Sequence, residues 1–518
     1  MQKGRIAALL LAGAMIASTL IGCTGSKTTQ GGTSAGKTTE AGKEKPLEIN
    51  IMVPFYSNEP CPEDDPVKKK IEENTNTILK IQWVAGNNWE DKLNITLASG
   101  ELPDMLQVDL TNPLFLKMAQ KGAFWEIKPS VNAKDHPSLS ALPDSAWAIT
   151  SIGGKNYGVP TVATIGGEPM PFYRDDWRKK LGLKVPETMQ DLYVMMKAFT
   201  EQDPDGNGKK DTFGLSGNVG VENMDNFHWI ENVFTHSTQR YDMWAWKVVD
   251  DKVVNSQLLP GVKDALVWLS NAYKEGLIPQ DFAVIKSSQY KEYATKGKAG
   301  IASDTLANAW RATDELRKAG IKEADFVPVS YMISSEGKKY APYQIDTKLD
   351  VFPKTIKEDK FKRILKFMDF TRSKEGHRLA KYGFEGQHYV IENDEIKALI
   401  PEKELKSTNL SQFFTFYDKY NRARTAGLPK ENLERNMKII DTRLEVAVQE
   451  LGKSLMSDTE VKIKKDLGKR IQDVKTKIIM GKEPITAWDD MVRKLQADPD
   501  FIKMTEEKNQ AYKEMQKK

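Results

Sequence analysis

Apolar and polar residues alternate from the start of the body: Leu47, Ile49, Ile51 and Val53 fall at every second position, the pattern of a strand with one buried face. Asp65-Pro66 then opens a helix that runs through Glu73, and residues 78–84 (ILKIQWV) read as a second strand. Trp89 to Ser99 reads as a helix stopped at Gly100, residues 103–109 (PDMLQVD) as a third strand, and Pro113 to Gln120 as a helix with Gly122 past its end. Strand, helix, strand, helix, strand at this spacing predicts an α/β lobe with a largely parallel sheet. In such sheets ligands bind beyond the carboxyl ends of the strands, which singles out Tyr56 after the first strand and Asp109 after the third.

Further along, Met189, Leu192, Tyr193, Met196 and Phe199 form one apolar stripe at helical spacing, opened by Thr188 with Asp191 three residues on. The loop that follows sets side-chain oxygens at alternate positions, Asp203, Asp205, Asn207 and Asp211, with Gly206 and Gly208 permitting the tight turn. That order suits a hard cation, calcium above all, because calcium takes six to eight oxygens in flexible geometry. Lys209, at the seventh position, would offer its backbone carbonyl; the twelfth is Gly214, so the usual bidentate glutamate is missing. The same residues also suit a solvated turn that holds no ion. Val262 to Glu275 is an amphipathic helix closed by Gly276, residues 297–304 read as a strand followed by Trp310, and short apolar runs over 325–352 suggest a return between lobes. Phe361, Ile364, Leu365 and Met368 mark another helix, and the last hundred residues are mostly charged helix, with Phe413, Phe414, Phe416 and Tyr417 packing inward or facing a cleft.

A chain of 518 residues is too long for one core, so at least two lobes are expected. The net charge of +4, two of it from Lys3 and Arg5, gives no reason to expect nucleic acid. No zinc-ligand cluster, phosphate-cradling Gly-Lys-Ser/Thr loop or Gly-x-Ser-x-Gly turn is present. Residues 1–22 read as a leader: Lys3 and Arg5, then an apolar run from Ile6 to Ile21. It ends in Leu20-Ile21-Gly22-Cys23, which resembles a bacterial lipobox and implies cleavage before Cys23 and its lipidation, anchoring the chain to the outer face of the cell membrane. Residues 23–45, rich in Gly, Ser, Thr, Lys and Glu, read as a disordered tether. Cys61 is the only other cysteine, so the mature chain has no internal disulfide with Cys23 lipidated.

Five segments resemble one family in consistent order. Arg174, Asp176-Trp177, Leu181-Gly182-Leu183, Pro186, Thr188 and the loop from Asp203 to Leu215 match its best-marked stretch; residues 98–105 (ASGELPDM), 153–160 (GGKNYGVP), 273–282 (YKEGLIPQDF) and 373–391 (SKEGHRLAKYGFEGQHYVI) match others. The chain thereby resembles the extracellular solute-binding lipoproteins of ABC importers for oligosaccharides, in the LplA-type, alginate-binding-like branch. The resemblance implies an α/β fold of the periplasmic-binding-protein-like type II, two lobes joined by a multi-strand hinge with a ligand cleft between them. Residues 46–160 plus about 326–400 would form the N-terminal lobe, and 161–325 plus about 401–518 the C-terminal lobe. It further implies a monomer that captures an oligosaccharide by closure of the lobes and delivers it to a membrane permease, without catalysis. Calcium sites of this family add a carboxylate directly after the last Asp, where this chain has Thr212.

An oligosaccharide presents hydroxyls at its rim and C–H groups on its ring faces, so its cleft needs aromatic platforms beside polar groups. Trp229, Trp244 and Trp310 are the expected platforms, with Trp246 assigned to the core; each indole also suits an ordinary core. Arg174, Glu385, Gln387 and His388 join Tyr56 and Asp109 as polar or rim candidates near the hinge. An arginine fork would suit a uronic-acid oligomer. The alternative function is a surface-anchored polysaccharide-degrading enzyme, a hydrolase or lyase using carboxylates across the cleft.

Overall fold

The computed structural model describes residues 44–516, apart from 58, 111, 163–168, 239–244, 286, 344–347, 393–394, 401–403, 426–427, 450, 452–454 and 456. The leader, Cys23, most of the tether and Trp244 therefore lie outside the described residues.

Nine strands make the two main sheets: β1 Leu47–Phe55, β2 Thr77–Ala85, β3 Met105–Asp109, β4 Gly158–Pro160, β5 Met170–Arg174, β6 Phe213–Leu215, β7 Ala299–Asp304, β8 Phe326–Pro328 and β9 Lys348–Val351. The first sheet runs β2-β1-β3-β9-β4. β1 is parallel to β2 and to β3, whereas β9 runs antiparallel between β3 and β4. The parallel part follows from its crossover helices. Helix Pro66–Thr75 starts where Asp65 accepts Val67 N at 2.8 Å and Lys68 N at 3.1 Å, and ends at Asn76, whose φ of 49° turns the chain back into β2. Both faces are covered. Ile49, Ile51 and Val53 pack with Phe361, Ile364, Leu365 and Met368, while Met52 faces the other way, onto Leu93, Leu97 and Leu106.

The second sheet runs β8-β5-β7-β6, with β5 antiparallel to β7 and β8, and β6 parallel to β7. One face carries a large core in which Trp177, Trp229, Trp246, Trp268 and Trp488 take part; the other is closed by Phe172, Ala302, Ala309, Leu316 and Phe326. Helices Asp458–Ile479, Thr486–Ala497 and Pro499–Gln516 contribute Leu467, Ile471, Trp488, Leu495 and Phe501 to that core. Inside it, Lys475 Nζ lies 2.6 and 2.8 Å from the Glu231 oxygens with both side chains buried, and burial pulls the lysine pKa down. Such a pair fixes how its helix seats, because either charge left alone in the core would be strongly destabilising. No helix of the described residues is long and apolar enough to cross a membrane.

The chain passes between the sheets three times among the described residues: from β4 to β5, from β8 to β9, and after Phe414. The third passage differs from the sequence expectation. Leu410, Phe413 and Phe414 sit in the first core, although they fall in the stretch assigned to the C-terminal lobe; Ala423 packs on Leu306, Ile439 and Ile440 beyond the second sheet. Arg372 ties these passages down. Its guanidinium donates to Asp350 Oδ2 at 2.6 Å, to the Pro160 carbonyl at 3.2 Å and to the Phe413 carbonyl at 2.6 Å.

Candidate functional site

The strand ends next to the passages form two surfaces, one on each sheet. On the first sheet Lys348 pairs in register with Asp109, and Thr161 N donates to the Lys348 carbonyl at 3.0 Å. Because β1 and β3 are parallel, Tyr56 leaves the sheet at this same end. Its side chain is 63% exposed, enough to offer a ring face to a sugar. The ring lies over Gly86, where an added Cβ would come within 2.3 Å of it, and the Lys348 ammonium stands 5.7 Å from its centroid. Glu90, on the first turn of helix Trp89–Ser99, has a raised carboxyl pKa: partial burial is the main cause and the Asp109 charge adds to it, against a hydrogen bond with Asn112.

On the second sheet Met170 pairs with Asp304, and Ser216 N donates to the Ile301 carbonyl at 2.9 Å, so the carboxyl ends of β6 and β7 lie beside the passage into β5. Asp304 holds Lys291 at 2.9 Å and Tyr290 OH at 3.2 Å. Along the passages, Tyr343 and Tyr417 pack with Ala146 and Val162, and the Tyr417 phenol is raised by burial first and by Tyr343 second. Tyr343 comes from an irregular segment where no periodicity marks an aromatic as exposed or buried, so sequence reasoning missed it.

Several expected site residues lie elsewhere. Trp229 is 1% exposed, because helix His228–Thr235 buries every residue but Phe234 and so carries its indole into the second core. Trp310 is 7% exposed within helix Leu306–Lys318, with the Arg317 guanidinium 5.7 Å from its ring, so in this conformation it offers no open face. Arg174 corrects the reading most clearly. It sits at the end of β5 away from Met170, 1% exposed, donating to Asp176 at 2.7 and 2.5 Å and lying 4.3 Å over the Trp177 ring. Its fork is committed to its own helix start. Glu385, Gln387 and His388 belong to a local turn in which Phe384 N donates to His388 Nδ1 at 3.0 Å and Gly386 N to the Tyr389 carbonyl at 2.7 Å. Gly383, at φ 75°, is required there because a Cβ would meet the His388 ring at 2.1 Å. Glu385 lines a groove of about 530 Å³ with Lys70, Asn74, Arg378 and Tyr389. Asn74 precedes Asn76, whose carbonyl takes Leu47 N at 2.9 Å, so this groove opens at the amino ends of β1 and β2, the opposite end of the sheet from Tyr56.

In the acidic loop the carboxylates converge on Asn207. Its backbone N–H donates to Asp203 at 3.1 Å, and its side-chain amide donates to Asp205 at 2.8 Å and Asp211 at 3.1 Å. Gly208 N donates to Asp203 at 3.0 Å, Lys209 N to Asn207 Oδ1 at 2.7 Å, and Lys298 pairs with Asp211. Asp203 is held below the ordinary carboxylate range, chiefly by Gly208 N–H; Asp205 is pushed above it by burial, by its hydrogen bond with Asp203 and by Asp211. Crowded carboxylates of this kind favour a cation. Among the described residues no group of three or more His, Cys, Asp or Glu is arranged to hold a metal ion. Thr212 donates to the Phe199 carbonyl at 2.8 Å and is turned inward, away from the loop oxygens.

Comparison with known proteins agrees with the architecture. A family model for bacterial extracellular solute-binding proteins matches residues 67–426. Lipoprotein LipO of Bacillus subtilis (strain 168) is 30% identical over 494 residues, covering 94% of this chain and 93% of that protein. The polygalacturonan/rhamnogalacturonan-binding protein YtcQ of the same organism is 31% identical over 393 residues, covering 75% of this chain and 74% of its own. The crystal structure of alginate-binding protein AlgQ2 without calcium ion superposes with a TM-score of 0.63 at 20% identity, covering 91% of this chain and 99% of that one, a likeness of fold. The fold is that of the type II periplasmic-binding-protein-like sugar binders, two α/β sheets linked by several passages. The chain belongs to the bacterial extracellular solute-binding protein family.

Proposed function

We propose that this protein captures an oligosaccharide between two lobes and hands it unchanged to the permease of an ABC importer. The observation that carries the reading is the exposed Tyr56 ring beside Asp109 and Lys348, at the strand ends where the chain passes between the sheets. Family membership supports it, and so do the carbohydrate specificities named for YtcQ and AlgQ2. The first lobe comprises residues 46–160, about 348–400 and 406–414; the second comprises the rest of the body, including 326–342, which the sequence assigns to the first lobe but whose Phe326, Met332 and Tyr340 pack with the second sheet and its core. Tyr56 stacks on a sugar ring and Asp109 accepts its hydroxyls, with Trp310 exposed to ligand only on a change of lobe arrangement. Binding energy then shifts the population from open to closed.

Titration calorimetry against neutral and acidic oligosaccharides, with a reducing-end assay on the same samples, tests the reading. A binder gives heat and no new reducing ends. A polysaccharide-degrading enzyme gives new ends, and that result would overturn the proposal.

Calcium in the acidic loop and the lipid anchor belong to the same proposal. Asp203, Asp205, Asn207 and Asp211, with the Lys209 carbonyl, would hold a structural calcium ion, which the convergence of three carboxylates on one residue, Asn207, supports. The ion would supply only charge compensation and loop rigidity. Cys23 carries the lipid, keeping the monomeric body outside the cell membrane; Cys23→Ala would move the protein from the membrane to the soluble fraction.

A further inference from the structure

Two helices, one from each lobe, approach each other near their ends. Helix Pro113–Gln120 is seated in the first lobe by Phe115, Leu116 and Ala119, and Lys117 lies in its last turn. Helix Asp458–Ile479 is seated in the second lobe by Leu467, Ile471, Ile478 and Ile479, and Asp458 lies in its first turn. Lys117 Nζ stands 3.3 Å from Asp458 Oδ1. Each charge also suits its own helix, because a cation is favoured at a carboxyl end and an anion at an amino end. The other acids at this helix start are committed within the second lobe. Glu460 pairs with Lys508, and Glu507 accepts from Thr459 N at 3.0 Å and from the Thr459 hydroxyl at 2.9 Å. Asp458 is the carboxylate that this helix start presents to the first lobe.

The contact is separate from the backbone passages, where Val162, Tyr343 and Tyr417 gather against Ala146. Lobes that turn about such passages move as rigid bodies, and side chains away from the axis shift the most. An ion pair between the two bodies at 3.3 Å thus belongs to one arrangement of them. In that arrangement Tyr56 is 63% exposed, so the ring is open to ligand. The pair is a weak tie, since both side chains are more than half exposed. Lobe arrangements differ by little free energy, however, and a weak tie is enough to move their populations.

We propose that Lys117 and Asp458 form an electrostatic latch that holds the lobes in the open arrangement, and that closure over a ligand breaks it. The latch acts in the free protein, and it rests on the division into two lobes given above. Without it the ratio of closed to open molecules rises by about two- to fivefold.

Distance measurement between spin labels tests it, in the full chain carrying Cys23→Ala. The labels sit at Asn88→Cys, just past β2, and at Val221→Cys, past β6; both positions are exposed, and Cys61, 3% exposed, stays unlabelled. Lys117→Gln and Asp458→Asn each raise the short-distance population by about two- to fivefold, and charge reversal at either position raises it at least as much. The double swap Lys117→Asp/Asp458→Lys restores the parent distribution. Salt at about 1 M moves the parent the same way and leaves Lys117→Gln/Asp458→Asn unchanged. Melting temperature, recorded for every variant, separates a shift of the lobes from loss of folding. An unaltered distribution in the single variants, a shift to longer distances, or a double swap that fails to restore the parent overturns the proposal. No sugar enters the measurement, so its failure and that of the oligosaccharide reading are told apart.

Discussion

Replacing Arg372 by alanine removes the group that holds β9 in place. The guanidinium is fully buried and satisfies a buried carboxylate, Asp350, and two carbonyls, Pro160 and Phe413, that belong to two different passages between the sheets. Breaking a buried ion pair by removing one partner costs about 3–5 kcal/mol, since the other charge stays behind unpaired. The stranded carbonyls place the expected loss toward the upper end of that range. The pH dependence sharpens the test. Burial raises the Asp350 carboxyl above its ordinary value, outweighing the lowering by Arg372. A carboxyl whose folded pKa exceeds its unfolded one binds its proton more tightly when folded; its contribution therefore grows as pH falls through the raised value and is lost as pH rises. Without the guanidinium the carboxyl rises further, so Arg372→Ala loses less stability at acidic than at neutral pH. Urea unfolding at several pH values measures the loss, and hydrogen exchange of residues 348–351 localises it. The double variant Asp350→Leu/Arg372→Met recovers part of the stability, because apolar residues of similar volume replace a buried pair well. A loss under about 1 kcal/mol at neutral pH, or one that grows on acidification, would refute the reasoning.

Other expectations follow from the same coordinates. Tyr56→Ala weakens oligosaccharide binding by about tenfold, or ~1.4 kcal/mol, and leaves the melting temperature nearly unchanged because the ring is 63% exposed; calorimetry and thermal melts check both halves. Trp229→Ala does the reverse, lowering stability by about 3–5 kcal/mol in urea titration through the cavity it leaves in the second core. Calcium at a hundred times its dissociation constant stabilises the fold by about 2.7 kcal/mol, read as a rise in melting temperature that chelator reverses and that Asp205→Ala abolishes. Absence of any shift with calcium would leave the loop as an Asp-Asn-Gly turn closed by Lys298.

Where the chain is periodic, the structure was legible in the sequence. The alternation at Leu47, Ile49, Ile51 and Val53, the Asp65-Pro66 helix start and the stripe from Met189 to Phe199 appear as read, because burial of one face imposes these spacings directly. Tyr56 and Asp109 followed from a rule about strand ends, and both lie at the same end of the first sheet. What failed was reading a role from residue type. Arg174 and Trp229 have the chemistry of ligand contacts, yet Asp176 two residues on takes the one and an all-round buried helix takes the other. The turn at Glu385 to His388 carries a strong pattern that serves a local fold, with His388 set against Gly383.

The stitch at Leu410 to Phe414 has a practical consequence. A chain cut anywhere between β4 and β5 stays one particle, because two more strands of backbone still join the halves. A fragment ending near residue 400 would lack the three side chains that seal the first core, and so would expose a greasy floor and precipitate. Several links side by side also resist twisting more than bending, which directs any motion of the halves toward the simple opening and shutting of a jaw.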